Sequence, residues 1–213
     1  MARPAPARLQ TLLHTLLLHR AAKPVVWCLC LAPLAWLVVA LFTQQLGANP
    51  AEALLRSTGD WALRGLCLAL AVTPLRQALG LPALARMRRP IGLFAFFYTA
   101  IHALCYLWLD MGWQWALALD DLRQRPFILV GTLAALMLLA LALTSPHRAV
   151  QVLGAKNWQR LHHGVHAAAW LALLHFYWMR LGKNQWAEVA MYAAVVAALQ
   201  WWRIRYRQVL ARP

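Results

Sequence analysis

Long apolar runs separated by short polar stretches recur along the whole chain. Six of them have the roughly 18 to 20 residues that an α-helix needs to cross ~30 Å of hydrocarbon. They cover about residues 25–43, 61–79, 91–109, 127–145, 162–179 and 186–202. The second run is interrupted by Arg64 near one end and Pro74 near the other. Proline is tolerated in a membrane helix where neighbouring groups satisfy the freed carbonyl. The first run follows Lys23-Pro24, has no small-residue cleavage site and is too long for a signal-peptide core, so it is a retained span. The pattern predicts an all-α membrane protein: a bundle of six transmembrane helices within residues 23–205. A basic leader, 1–22, carries a short amphipathic helix on the cytoplasmic surface, and a short tail follows at 206–213. The connecting loops, the longest at 44–60, 80–90, 110–126 and 146–161, are too short to hold a folded domain.

Composition agrees: 62% of residues are hydrophobic and 13% charged, where a soluble domain is about one quarter charged. The net charge of +15 could suggest nucleic acid, but its distribution gives another meaning. If six helices alternate, one side receives Arg3, Arg8, Arg20 and Lys23, then Arg76, Arg86, Arg88 and Arg89. Arg148, Lys156 and Arg160 follow there, with Arg203, Arg205, Arg207 and Arg212 in the tail. The other side keeps Arg56, Arg64, Arg123, Arg125, Arg180 and Lys183, and all six acids: Glu52, Asp60, Asp110, Asp120, Asp121 and Glu188. That asymmetry is the positive-inside pattern, which puts both termini in the cytoplasm. The basic excess is an orientation signal with some anionic-lipid contact, and no nucleic-acid partner is expected. Cys28, Cys30, Cys67 and Cys105 lie inside the spans without metal-ligand spacing and read as small apolar core residues. No GxGxxG or Walker sequence is present, so nucleotide-dependent chemistry belongs to another polypeptide. Aromatics at the span ends, among them Trp108, Trp113, Trp115, Tyr177, Trp178, Trp201 and Trp202, fit interfacial anchors.

The histidines carry the candidate chemistry. An imidazole inside a membrane helix is costly without a partner, and its lone pair makes it a common axial ligand for haem iron. Of eight histidines, His102, His166 and His175 lie within the apolar interior, while His162 and His163 sit at the cytoplasmic mouth of the fifth span. Counted from the cytoplasmic ends, His102 is ~18 Å deep and His175 ~22 Å deep. Two histidines on different helices at similar depth could clamp one haem. His162 lies about 20 Å below His175 along an ideal helix, with the side chains ~140° apart. That placement suits a second haem nearer the cytoplasm, provided a bend, or haems on different flanks, absorbs the angle. The third span offers Arg88 and Arg89 rather than histidine at that depth, residues suited to haem propionates. The other ligand there stays open among His163, His166, His147 and no ligand at all. His166 reads as a helix-packing polar group; His14, His19 and His147 read as solvated surface.

The stretches STGDWALRGLCLALAVTPLRQ (57–77), RRPIGLFAFFYTAIHALCYLWLD (88–110), RPFILVGTLAALMLLALALTS (125–145) and LGAKNWQRLHHGVHAAAWLALLHFYWMRL (153–181) together closely resemble the MsrQ (formerly YedZ) family. These are ferric-reductase-like transmembrane domains, and the likeness covers about residues 45–205. The family's haem histidines fall on His102, His162 and His175. The resemblance implies a b-type cytochrome of the bacterial inner membrane holding one or two haems, associated with FMN and without catalysis of its own. It also implies a partner, a periplasmic molybdopterin-containing MsrP-like subunit that reduces methionine sulfoxide in oxidised proteins. The electron donor would be a cytoplasmic flavin reductase or the quinone pool. Competing expectations are a cytochrome b anchor for another oxidoreductase, a histidine-relay proton-conducting transporter, or a cofactor-free scaffold. The transporter calls for a mid-span acid, and the sequence has none.

Overall fold

The computed structural model describes residues 7–182 and 184–210, and among these the regular structure is entirely helical. Arg3, Lys183 and Arg212 lie outside the described residues, as does the side chain of Arg207. A short α1 (Ala7–Leu18) precedes α2 (Ala22–Phe42) and α3 (Pro50–Leu79). A 3₁₀ turn, Pro82–Met87, leads into α4 (Arg88–Cys105), which continues through a π turn, Tyr106–Asp110. Then come α5 (Trp115–Gln124), α6 (Pro126–Leu143), α7 (His147–Leu153), α8 (Ala155–His162), α9 (Val165–Leu181) and α10 (Trp186–Leu210). Among the described residues, three helical stretches are long and apolar enough to cross a membrane: 22–42, 82–110 and 126–143.

The third helix starts eleven residues before the apolar run does. Asn49 caps it, its side chain accepting from the Glu52 N–H at 3.1 Å, with Pro50 in the first turn. It stops at Gly80, whose φ of 65° is the left-handed conformation glycine adopts freely and whose N–H donates to the Arg76 carbonyl. Thirty residues make a rod of ~45 Å, so the charged first half extends past the hydrocarbon thickness.

Packing follows small residues. A Cβ on Gly65 would sit 3.1 Å from Ala95 Cα, so α3 and α4 approach backbone to backbone at that point. On α9, Ala168 and Ala169 are fully buried. Leu63, Leu66, Leu138, Leu173, Phe176 and Val196 belong to one core cluster joining α3, α6, α9 and α10. By contrast α2 is peripheral: Leu37 and Ala40 are buried, while Leu29 and Phe42 point outward. It is tied to the bundle where Pro33 interrupts its hydrogen-bond ladder. The Tyr98 hydroxyl from α4 accepts from Leu34 N–H at 3.1 Å and donates to the Cys30 carbonyl at 2.7 Å. It thus takes the donor and acceptor that a regular turn would join.

The connections at 110–126 and 146–161 carry the short helices α5, α7 and α8. Several expectations are corrected. His162 and His175 do not share a helix. A turn at His163 and Gly164 separates α8 from α9, so the angular separation of an ideal helix does not apply to them. Of the four free cysteines only Cys67 is buried, and Cys28 is exposed on the outer face of α2. His14 is half-buried in α1 rather than solvated, whereas His19 and His147 are exposed as expected.

Candidate functional site

His102 on α4 and His175 on α9 meet across the bundle, with ring centres 6.2 Å apart and ring planes inclined at 75°. The same device holds each ring. His102 Nδ1 lies 2.9 Å from the carbonyl oxygen of Leu55 on α3, and His175 Nδ1 lies 2.7 Å from that of Phe127 on α6. A carbonyl only accepts, so in the neutral imidazole Nδ1 carries the proton and Nε2 keeps the lone pair.

Access to those carbonyls depends on two glycines. Residues four apart stack on one helix face, and the residue four beyond each carbonyl is glycine: Gly59 after Leu55, Gly131 after Phe127. A Cβ on Gly59 would lie 3.0 Å from His102 Nδ1 and Cε1; on Gly131 it would lie 2.7 Å from His175 Nδ1. Each imidazole therefore occupies the space a side chain would fill.

The donor set favours a metal carried in a macrocycle. Two imidazole nitrogens sharing one metal at ~2 Å each, plus about 1 Å from nitrogen to ring centre, put the ring centres roughly 6 Å apart. The observed separation matches. Among the described residues no group of three or more His, Cys, Asp or Glu side chains converges as a metal site. A group that brings its own remaining ligands, as a porphyrin does, would fit two imidazoles at this separation. Nδ1–H donation to a backbone carbonyl is also the outer-sphere support that metal-bound histidines have.

A second region lies at the other end of the bundle. A cavity of about 650 Å³ is bounded by Arg88, Arg89, Leu138, His162, His163 and Arg203, among others. Its size is within the range of small-molecule and cofactor sites. His162 is held by side chains here. Its ring stacks on Trp158 with centres 3.9 Å apart, and its Nε2 lies 3.2 Å from Thr144 Oγ1. Trp158 Nε1 in turn donates to the Thr144 carbonyl at 2.8 Å. Because Thr144 Oγ1 already donates to the Ala140 carbonyl, it accepts from His162, and Nδ1 holds the lone pair in this arrangement. Arg89 donates to Ser145 Oγ at 3.2 Å. His163 and His147 reach the cavity wall, whereas His166 turns to α10, where it meets Arg203.

Sequence reasoning missed the glycines, the Thr144–Trp158 support and an ion-pair network at the far end. Arg180, 7% exposed, contacts Asp60 at 2.9 Å and Glu188 at 3.4 Å. Gln185 Oε1 accepts from both Arg180 and Arg56, and Arg64 Nε donates to Tyr192 at 3.0 Å. Both glycines stand in the stretches that resemble the MsrQ family, and a lone glycine in an apolar helix is itself a signal of close approach.

The sequence also matches a family model described as "Ferric reductase like transmembrane component", over residues 58–174. The arrangement described above, an imidazole pair clamped between apolar helices, is thus found in a chain of that class. A curated relative from Polaromonas naphthalenivorans (strain CJ2) is 56% identical over 188 residues, 88% of this chain and 86% of the relative. One from Ralstonia nicotianae is 45% identical over 86% of both chains, and one from Caulobacter vibrioides is 41% identical over 84% of this chain and 85% of the relative. All three are named protein-methionine-sulfoxide reductase heme-binding subunit MsrQ. This chain belongs to the MsrQ family. No solved structure matches it.

Proposed function

We propose that this chain is the membrane electron-transfer subunit of a protein-methionine-sulfoxide reductase system, holding b-type haem on His102 and His175. The observation that carries the reading is the pair of facing imidazoles, each with Nδ1 bound to a backbone carbonyl. The names of the relatives support haem binding and the reductase system. Six helices, α2, α3, α4, α6, α9 and α10, cross the bacterial inner membrane with both termini in the cytoplasm, an orientation supported by the basic side of the charge pattern. The Asp60–Arg180 end then faces the periplasm, and the Arg88, Arg89 and His162 end faces the cytoplasm.

Haem, when bound, supplies a one-electron carrier cycling between ferric and ferrous iron. The residues do the rest. His102 and His175 would hold it through Nε2, and the carbonyls of Leu55 and Phe127 fix their tautomers and raise their basicity. The apolar helices around them exclude water and so set the potential through burial. His162 would hold a second haem in the cavity beside Arg88 and Arg89, giving up its contact with Thr144 or using Nδ1, and the two arginines would supply positive charge for the group's carboxylates. Electrons enter from a cytoplasmic flavin reductase, with FMN, or from the quinone pool. They leave to a periplasmic molybdopterin MsrP-like subunit, which reduces methionine sulfoxide and so restores an apolar side chain.

The test is a reduced-minus-oxidised spectrum of the purified protein with haem counted per chain, repeated on His102→Ala, His162→Ala and His175→Ala. A b-type spectrum lost alike in the His102 and His175 variants, with one further haem lost in the His162 variant, is expected. Colourless wild-type protein from haem-supplied cells would refute the proposal.

A further inference from the structure

One carboxylate joins the two segments that hold the imidazole pair. The side chain of Asp121 on α5 is 10% exposed, and both of its oxygens are engaged. Oδ2 accepts from the Tyr106 hydroxyl at 2.7 Å, and Oδ1 pairs with Arg125 Nε at 2.8 Å. Tyr106 opens the π turn that extends α4 and stands four residues beyond His102, on the same side of the helix. Arg125 is the single residue between α5 and α6. Its backbone is extended, as the residue before a proline prefers, and its carbonyl accepts from Ile128 N–H at 3.0 Å in the first turn of α6. Two residues after it comes Phe127, whose carbonyl holds His175.

Both of the segments so joined are helix ends. His102 lies in the last turn of α4 and Phe127 is the second residue of α6, and helix ends open more readily than helix interiors. Apolar packing does little to steady α5 itself, since Trp115, Leu117 and Leu119 point outward. Its polar side makes the fixed contacts, one to each helix end. We infer that Asp121 is a positioning residue of the imidazole pair. It holds the end of α4 and the start of α6 in one register, and with them the 6.2 Å spacing and 75° inclination of His102 and His175. The inference rests on the reading of that pair as a haem site. A contact that only fastened α5 to the bundle would need one of the two bonds, not a carboxylate shared between the ligand-bearing helix and the joint beside the supporting carbonyl.

The experiment measures haem retention and the ferric electron paramagnetic resonance spectrum of the purified haem-loaded protein. Retention is the rate of haem transfer to excess apomyoglobin; the spectrum responds to the angle between two axial imidazole planes. Asp121→Ala should speed loss of the haem that depends on His102 and His175 about tenfold, the lower end of the cost of losing a direct outer contact. Its resonance should shift or broaden. Tyr106→Phe and Arg125→Leu each release one arm and should each give part of the change. Neither should add to Asp121→Ala, because both partners act through one carboxylate. Asp121→Asn, which still accepts from Tyr106, should recover part of the retention. A lower unfolding midpoint in Asp121→Ala with wild-type retention and resonance would show a mere tether and overturn the inference. If Asp121→Ala does not fold, the two single-arm variants decide, and wild-type values in both would overturn it equally. Failure of the underlying reading looks different: His102→Ala and His175→Ala would then keep the wild-type haem and resonance.

Discussion

Adding one methyl group at Gly131 tests the paired-histidine site without touching either histidine. The new Cβ would stand 2.7 Å from His175 Nδ1, 2.8 Å from Cε1 and 3.1 Å from Cγ. Ordinary contact begins at 3.4 Å, so the ring must retreat by about 0.7 Å in a close-packed interior. Backing away from α6 stretches the 2.7 Å hydrogen bond to Phe127 past its useful range. It also exceeds the ~0.5 Å within which a metal-binding constellation must be held. Loss of such an outer contact alone costs about 10- to 100-fold in metal affinity. Gly131→Ala should therefore purify with most of its His102- and His175-bound haem missing. Gly59→Ala meets its imidazole at 3.0 Å and asks for a smaller retreat, so it should lose less. Gly182→Ala is the control, since a Cβ there meets nothing within 4 Å and its φ of −72° suits alanine. The assay is haem per chain from the reduced spectrum, with circular dichroism confirming the helices. Full occupancy in Gly131→Ala would refute the claim that glycine clears the space for the imidazole.

Two other substitutions test the frame around the site. Tyr98→Phe removes the hydroxyl joining Leu34 N–H to the Cys30 carbonyl at the Pro33 break. It should destabilise the protein by about 1–3 kcal/mol, seen as a lower midpoint in detergent thermal unfolding; an unchanged midpoint would count against the bridge. Arg180→Leu leaves Asp60 without its closest cation in a partly buried position and should cost about 3 kcal/mol. Adding Asp60→Asn should recover part of that loss, and strict additivity of the two would show that the pair is not coupled.

The helices were legible because lipid demands unbroken apolar length, but their ends were not, because charge and capping decide those. The α3 helix shows why. Glu52, Arg56, Asp60 and Arg64 lower the local hydropathy enough to hide its first turns. Yet they recur every four residues, the spacing that stacks charges along one helical face, and Glu52 and Arg56 do pair at 3.5 Å. That periodicity was readable beside Asn49-Pro50, a start signal. Depth along the spans likewise anticipated that His102 and His175 would meet. It could not anticipate Leu55 and Phe127 as partners, since backbone carbonyls leave no trace in residue identity. The Asp60–Arg180 contact joins residues 120 apart in sequence, and no local pattern announces it.

The two candidate haem positions differ in how the protein holds them, and that difference has consequences for rigidity. His102 sits in the last turn of α4, which continues through the π turn, and His175 lies within α9; their outer partners are carbonyls in the backbones of two more helices. Moving either ring means moving helices against one another, which close contacts such as Gly65 on Ala95 resist. His162 instead ends a helix of eight residues, next to a turn, and is held by a hydroxyl and an indole. Rotamer changes there are local and fast compared with helix displacement. The geometry therefore suits a fixed pair of ligands on the Asp60–Arg180 side and an adjustable ligand on the Arg88–Arg89 side.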